Sequence, residues 1–540
     1  MILHARIAAL VAALVASSLS AQAHEHGRPE QLGRVVFPVS CNRAAQQQFE
    51  RAMTMLHSFW WEQGQDGFHA VVTADSTCAM GYWGLALNAW GNPVAGGPGG
   101  MAGKGEVLRR GASAITRAVS LGAPTPRERG FLAAAAALYR GSDSVPNGRR
   151  LQAYSDTLAR LYGDLPNDTE VAIYYALSLI VTAPKTDTTF ARQKRAAAIL
   201  NPLFQRFPTH PGLAHYIIHA NDSPQLATLG LDAARRYAQI APSAAHAQHM
   251  PSHIFIRRGL WDETIAANQR AFDAGVEYAI AHNTGVAPEQ FHALDYMVYA
   301  YLQQGRDALA RRTVDSAQHL KATLAYDAMV ANYNRVAMEA RVPLERGDWA
   351  AAANLPVRAG GMTIGAALGH FTRGIGAART GDTAAATEAL GALDEIEADM
   401  VRRGDAEWSR VVGIKQHIVR SWLALAGGDT AAALRDAGAA ADLEDVTEKH
   451  PVTPGELLPA RELQGDMLLA TGRYSAARAA YDATLLREPR RARAIYGAAR
   501  AAELAGDRTA ARERYQEYLT QMQRADGDRA EIARVREASR

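Results

Sequence analysis

Hydrophobic positions recur at helical spacing along nearly the whole chain, and the strict alternation that would predict strands is almost absent. Ala, Leu, Arg and Glu, which all favour helices, dominate the segments between short polar turns. The pattern therefore predicts an all-α protein.

The helices are predicted to form repeated hairpins, because a glycine turn returns at similar intervals. These turns stand at Gly259, Gly305, Gly347, Gly381, Gly428, Gly472 and Gly506, separated by 46, 42, 34, 47, 44 and 34 residues. Upstream, prolines suited to ending second helices are Pro124, Pro166, Pro208 and Pro242, separated by 42, 42 and 34 residues. A 34-residue period is typical of one class of helical-hairpin solenoid, and the longer intervals fit it with loop insertions.

One segment, residues 462–481, closely resembles a tetratricopeptide repeat. Small Gly465 permits close approach of the helices, Gly472 makes the turn, and Ala477 and Tyr481 pack the second helix. The resemblance covers most of residues 43–520, more weakly at the N-terminal end, and it implies a tetratricopeptide-like helical-hairpin solenoid. We expect one array with a histidine-rich groove at residues 24–310 and a second array at residues 311–540.

The chain also resembles a group of secreted bacterial tetratricopeptide-repeat proteins of unknown biochemical function. The segments that carry this resemblance are 56–60 (LHSFW), 78–84 (CAMGYWG), 215–220 (HYIIHA) and 249–253 (HMPSH). It supports the predicted fold and supplies no activity.

The N-terminus has the features of a targeting segment. Arg6 precedes an apolar stretch from Ile7 to about Leu19, and residues 21–23 (AQA) form a small-x-small cleavage site. We therefore expect residues 1–23 to be a signal peptide and the mature protein to be periplasmic or secreted. The apolar stretch is too short to span a bilayer and no other stretch is apolar enough, so we expect no membrane insertion.

The charge balance and the two cysteines narrow the possible partners of the protein and predict a covalent link. Lys plus Arg number 58 against 55 Asp plus Glu, a balance that argues against a nucleic-acid partner. Cys41 and Cys78 lie 37 residues apart, close to one hairpin, which would place them at the same end of neighbouring first helices. In an oxidising compartment we expect them to form a disulfide; the alternative is two buried free thiols.

The candidate chemistry lies in the histidines, of which there are seventeen. His215 and His219 are four residues apart on one predicted helix, so they share a face. His249 and His253 repeat this spacing 34 residues later, at equivalent positions of the next repeat. Both pairs should therefore project the same way from neighbouring helices, and His246 should share the face of the second pair.

We therefore predict a transition-metal site in the concave groove, with Zn, Cu, Ni or Fe as the ion, because imidazoles suit these metals rather than Ca or Mg. The four paired histidines form its core, and the same register adds two residues of the next repeat. Should the solenoid curl back on itself, a histidine of the first hairpin joins them. The predicted ligand set is His215, His219, His249, His253, His246, Asp222, His292, Asp295 and His57.

Several interpretations of this cluster stay open. Two histidines with one carboxylate would suit non-haem oxidative chemistry, and metal-bound water would suit hydrolysis. Alternatively, the protein is a non-catalytic scaffold for a protein partner, or its histidines hydrogen-bond a small-molecule or peptide ligand in the groove. Pro251 interrupts the second pair, and a helix that begins there would leave His246 and His249 on a loop.

Other features carry weaker expectations. After cleavage, His24-Glu25-His26 at the new amino end could bind Cu or Ni, although a disordered tail is the ordinary interpretation. The Gly/Pro-rich segment 91–105 could cover the groove as a lid. Glu128 and Glu170 occupy places similar to His292 in earlier repeats. The repeats after residue 310 show no comparable polar cluster and are interpreted as ordinary scaffold.

Overall fold

The computed structural model describes residues 30–95, 104–321, 328–357 and 363–538. Within these ranges the regular structure is helical, apart from an isolated bridge at Val286, so the predicted all-α solenoid is confirmed. The predicted signal peptide, His24-Glu25-His26 and residues 96–103 of the predicted lid lie outside the described residues. None of the described helices has the length and hydropathy needed to cross a membrane.

The helices follow one another as hairpins, each packing on the next in the chain. Those up to residue 257 are α1 (Arg43–His57), α2 (Trp61–Ala74), α3 (Ala79–Trp90), α4 (Lys104–Leu121), α5 (Pro126–Tyr139), α6 (Asn147–Asp164), α7 (Thr169–Val181), α8 (Ala191–Arg206), α9 (Pro211–Asn221), α10 (Leu231–Ile240), α11 (Ala245–His249) and α12 (Pro251–Arg257). The remainder are α13 (Trp261–Ala281), α14 (Pro288–Gln303), α15 (Asp307–His319), α16 (Ala328–Arg346), α17 (Trp349–Ala353), α18 (Thr363–Thr380), α19 (Thr383–Arg402), α20 (Ala406–Ala426), α21 (Thr430–Asp445), α22 (Ala460–Ala470), α23 (Tyr474–Arg487), α24 (Ala492–Leu504), α25 (Arg508–Gln521) and α26 (Ala530–Ala538).

Two local preferences favour the predicted turns: glycine accepts a positive φ, and in several turns the next residue caps the following helix. All seven glycines have a positive φ, between 63° and 86°, a region that costs an L-residue about 1–2 kcal/mol. In several turns the next residue is an aspartate whose side chain accepts a backbone N–H bond and caps the following helix, as at Asp382, Asp429 and Asp507. A Gly-Asp pair therefore ends one helix and begins the next.

The first hairpin departs from this rule. Its turn has Phe59 at the position that Gly259 occupies in the later hairpin, two residues after α1 ends and two before α2 begins. The φ of Phe59 is 51°, and its side chain is only 5% exposed. A buried aromatic residue thus takes a backbone conformation that the seven predicted turns give to glycine.

The two cysteines lie at the same end of neighbouring first helices, as the repeat length predicts. Cys41 precedes α1 and Cys78 precedes α3, and their Cα atoms are 5.1 Å apart. The predicted disulfide pairing of neighbouring first helices is confirmed by this placement.

The solenoid is curled so strongly that distant repeats touch. The Gln303 amide oxygen accepts from the backbone N–H of Ala492, and the Arg490 guanidinium donates to the Gly259 carbonyl. Near the chain end, buried Arg529 pairs with buried Asp307. One buried hydrophobic cluster also spans residues 279–338, so packing is continuous across the boundary predicted at residue 310. The last repeats therefore pack against the middle of the chain.

Candidate metal centre

The paired histidines are positioned by the repeat register, as predicted. α9 begins at Pro211, so His215 and His219 are its fifth and ninth residues. α11 begins at Ala245, so His246 and His249 are its second and fifth residues. Both helices therefore present imidazoles from equivalent positions.

Pro251 divides the second helix but does not turn its histidines apart. α11 ends at His249 and α12 begins at Pro251, while Met250 between them keeps a helical backbone with φ −53° and ψ −34°. The side chains of His249 and His253 still converge, with 3.1 Å between their Nε2 atoms. The alternative that leaves His246 on a loop is therefore wrong, because His246 lies within α11.

Six imidazoles gather in two adjacent groups. The first trio is His215, His219 and His246, and the second trio is His249, His253 and His292; within each, one ligand atom per residue lies within 4.8 Å of the others. In the first trio, Nε2 of His215 is 3.0 Å from Nε2 of His219 and 3.2 Å from Nε2 of His246. These spacings resemble the donor separations around a tetrahedral ion with bonds of about 2.0–2.1 Å.

Three of the rings are oriented by hydrogen bonds from their other nitrogen. Nδ1–H of His215 donates to the carbonyl of His57 at 2.6 Å, and Nδ1–H of His249 donates to Oδ1 of Asn268 at 2.6 Å. Nδ1–H of His253 donates to the carboxylate of Asp222 at 2.8 Å. Each bond places the proton on Nδ1 and leaves the Nε2 lone pair free, the arrangement that metal-binding histidines commonly show.

The free lone pairs face each other. Nε2 of His249 and Nε2 of His253 both lack a proton in these tautomers, so the 3.1 Å between them is not a hydrogen bond. The hydroxyl of Tyr296 lies 3.4 Å from Nε2 of His253 and is shared with the carbonyl of Thr453 at the same distance. In addition, Nδ1 of His292 is buried and has no hydrogen-bond partner among the residues described. Bare imidazole nitrogens at this spacing are suited to a shared cation.

Burial keeps these imidazoles neutral. Loss of hydration lowers the pKa of His249 to about 3, and for the same reason the pKa of His253 is lowered even though Asp222 opposes the shift. Burial, with the neighbouring histidines adding to it, also holds the pKa values of His215 and His292 well below their usual range. Neutral imidazole is the form that binds metals, so no proton must be displaced at neutral pH.

Aromatic side chains enclose both trios. The ring of Phe59 lies 4.4 Å from that of His215 and 5.9 and 5.4 Å from those of His219 and His246, measured between centroids. Tyr296 covers the second trio, with its ring 4.8–5.3 Å from the three imidazoles. Phe59 also lines an apolar cavity on its other side, together with Trp61, Trp90, Leu138, Tyr174 and Tyr216.

The C-terminal half also covers the cluster. In the loop between α21 and α22, Thr453 accepts from Tyr296, and the ammonium of Lys449 lies 3.9 Å from the Asp222 carboxylate. Glu448 pairs with Arg257, which also binds Asp222 at 3.0 Å. Burial lowers the pKa of Lys449 to about 8. The histidines, which we predicted in the concave groove, are therefore enclosed by two halves of the chain.

Not all predicted residues join the two trios. His57 contributes its carbonyl to His215, but its ring binds Glu170 through Nε2 at 3.1 Å and Tyr216 through Nδ1 at 3.0 Å. Together with His210, which donates to Glu170 at 2.9 Å, it forms a separate buried group.

The two acidic residues that shared the predicted register also have other partners. Asp295 is fully buried against Arg341, with bonds of 2.7 and 3.2 Å to the guanidinium. Glu128 accepts from the backbone and hydroxyl of Ser40. Each carboxylate is bound by a residue from a segment far away in the chain, which repeat spacing alone does not predict.

Sequence reasoning missed Phe59, His210, Asn268 and the loop around Thr453 as parts of the site. Phe59 had a detectable signal, because it stands where the other hairpins have glycine. Asn268 comes from α13, soon after His249 in the chain, and the loop around Thr453 is brought in by packing between segments far apart in the chain.

No family model and no curated protein sequence matches this chain. Its fold is similar to that of the human IFIT1 dimer with PPP-AAAA, at 11% identity over 77% of this chain and 86% of that one, TM-score 0.36. It is also similar to Cut9 in the APC/C hetero-tetramer Cut9-Hcn1, at 12% identity over 92% and 97%, TM-score 0.32. A likeness this distant carries no argument about function.

Proposed function

We propose that this protein is an exported, periplasmic or secreted solenoid that binds transition metal ions through its histidine cluster. The observation that carries the proposal is the convergence of six imidazoles in two trios, in which His215, His249 and His253 are held with their Nε2 lone pairs directed at neighbouring histidines. Histidine nitrogens favour Zn, Cu, Ni and Fe, and no thiolate joins them, since both cysteines are paired with each other.

The surroundings of the cluster support metal binding over a purely structural role. A structural polar core is stabilised when each donor meets an acceptor. Here Asn268, Asp222 and the His57 carbonyl hold the Nδ1 sides of three rings, so the Nε2 lone pairs of these rings are directed at other imidazoles. With three protein ligands in each trio, a bound ion would keep an open position, which suits an enzyme more than a closed structural site.

The proposal is tested by metal content. Metal-free full-length protein is incubated separately with Zn, Cu, Ni and Fe, freed of excess ion and analysed for bound metal. The wild-type chain should retain metal, whereas the double variant His219→Ala/His253→Ala should lose it with helicity unchanged. The matched control His370→Ala/His417→Ala alters two histidines outside both trios and should retain metal like the wild type.

Less than about a tenth of an ion per chain with every metal would overturn the proposal. The histidines would then be hydrogen-bonding walls for a small-molecule or peptide ligand, or part of a scaffold for a protein partner. Those are the functions we would test next.

A further inference from the structure

The two trios are built alike, one repeat apart. The first combines the pair His215 and His219 of α9 with His246, the second residue of the following first helix. The second combines the pair His249 and His253 with His292, the fifth residue of the following first helix α14. The third histidine comes from a different helical position in each trio, but each trio is one i,i+4 pair completed by the next repeat, which indicates two neighbouring sites rather than one site with six donors.

The ring spacings separate the trios. Two imidazoles on one tetrahedral ion with ordinary bond lengths have centroids about 5 Å apart. Within the first trio the centroids of His215 and His219 are 4.7 Å apart, and those of His215 and His246 are 5.0 Å apart. Within the second trio, the centroid of His249 is 5.0 Å from that of His253 and 4.5 Å from that of His292. The remaining pair of the second trio, His253 and His292, is wider, at 5.9 Å. In each trio one central ring, His215 or His249, therefore has two neighbours at the spacing that one ion requires.

Between the trios the spacing is larger. The rings of His219 and His253 are 6.3 Å apart, and those of His246 and His249 are 6.2 Å apart. One tetrahedral ion does not span rings at this distance. It is nevertheless short enough for neighbouring ions, since two-metal sites hold their ions about 3.5–4 Å apart.

Each trio also has its own support. His215 is held by the His57 carbonyl and stacked on Tyr237, with centroids 5.3 Å apart. His249 and His253 are held by Asn268 and Asp222. Because no supporting residue is shared, loss of one trio should leave the other in place.

Resting on the proposed metal binding, we propose that the cluster is a dinuclear centre. One transition metal ion lies in each trio, and the two ions share one small bridging ligand such as hydroxide. The aromatic rings of Phe59 and Tyr296 restrict the space beside the ions, so the bridging position accepts only small oxygen or nitrogen donors.

The test uses Cu(II) as the probe on full-length metal-free protein. The wild-type chain should retain about two copper ions, and its electron paramagnetic resonance signal should account for far fewer than two spins, because bridged ions couple. His215→Ala/His219→Ala and His249→Ala/His253→Ala should each retain one copper with the full signal of one isolated ion. His370→Ala/His417→Ala should match the wild type.

The possible results are distinguishable. One copper per wild-type chain, lost in both trio variants, would overturn the dinuclear centre while leaving the proposed metal binding intact. Two coppers with two undiminished spins would overturn the shared ligand. Copper below about a tenth of an ion per chain would overturn both proposals. Should a trio variant fail to fold, the wild-type stoichiometry and spin count still decide.

Discussion

Two buried polar regions of this protein differ in how their charges are balanced. In the C-terminal half, the fully buried Arg491 guanidinium pairs with the fully buried Glu462 carboxylate at 2.7 Å, and Arg493 pairs with the same carboxylate at 2.9 Å. In the histidine cluster, neutral bases face neutral bases, and the neighbouring Asp222 is already paired with Arg257. The first region balances its charges within the chain, whereas the second brings together neutral nitrogen donors of the kind that bind a cation.

We interpreted the repeats after residue 310 as ordinary scaffold, without a comparable polar cluster on the groove face. The polar groups that these repeats do bury are paired charges. Buried ion pairs join Arg341 to Asp295, Lys415 to Glu456 and Arg491 to Glu462. Such pairs hold distant repeats together, because a buried charge without its partner is strongly unfavourable.

The largest expected effect is a pH dependence of the free energy of unfolding. It comes from the histidine cluster and not from the arginine network. The buried histidines have pKa values lowered from an ordinary value of 6.5, so below pH 6.5 the unfolded chain binds protons that the folded, metal-free chain does not. Stability is therefore complete above pH 6.5 and is lost as the pH falls. Between pH 6.5 and 5.5 the loss should be about 1 kcal/mol for each buried imidazole.

Denaturant unfolding of the metal-free chain across this pH range measures the effect. In the variant His215→Leu/His249→Leu the unfolding free energy should change less steeply with pH, because two of the titrating groups have been removed. A wild-type unfolding free energy that stays constant from pH 7 to 5 would contradict the prediction.

Breaking the arginine network should have the next largest effect. Arg491→Leu leaves the buried Glu462 carboxylate without its main partner and should cost about 3–5 kcal/mol of unfolding free energy. Arg478→Leu removes an exposed pair with Asp507 and should cost less than about 1 kcal/mol. Equal losses in the two variants would show that burial does not set the strength of these pairs. Metal content should be unchanged in both.

A smaller effect is expected from the carboxylate that orients His253. Asp222→Asn removes the negative charge behind the imidazole and should weaken metal binding about 10–100-fold, measured by competition with a chelator of known affinity. Asp436→Asn is the matched control, since Asp436 accepts from Nδ1 of His417 at 2.7 Å outside the cluster. If both variants bind metal equally well, Asp222 has no orienting role.

The smallest effect concerns the strained turn at Phe59. Phe59→Gly and Phe59→Ala both remove the ring, but only glycine also relieves the positive φ, so Phe59→Gly should be the more stable by about 1 kcal/mol in thermal unfolding. Gly472→Ala introduces the same strain at a turn where a Cβ meets nothing within 4 Å, and it should cost a similar amount. A Phe59→Ala variant as stable as Phe59→Gly would show that this backbone is unstrained.

Repeat spacing predicted which histidines converge. The 34-residue period fixes the helix and the face that His215, His219, His249 and His253 occupy, and His292 follows from the same register one repeat later. Their convergence could be predicted because it depends on contacts between neighbouring hairpins, whereas metal binding by these residues stays a prediction.

Repeat spacing could not predict the contacts that form because the whole solenoid curves back on itself. Asp295 shares the register of His292, yet its carboxylate pairs with the guanidinium of Arg341, 46 residues later in the chain. His57 was expected to bind metal if the chain curled back; the chain does curl back, and its carbonyl rather than its ring meets His215. Small rotations between successive repeats add up over the solenoid and bring distant repeats into contact, so the sequence of a single repeat does not predict these contacts.

The closure of the curl has a consequence for when the centre can be completed. His215 is oriented by a carbonyl 158 residues earlier, and Tyr296 meets a carbonyl 157 residues later. The first support requires the chain up to α9 and the second requires the loop between α21 and α22, so the centre is complete only after most of the polypeptide has been made and has folded. An ion that enters afterwards must wait for repeats to separate, and so must an ion that leaves. Exchange of bound metal should therefore be slow and should follow the rate of partial opening rather than the intrinsic lability of imidazole ligands.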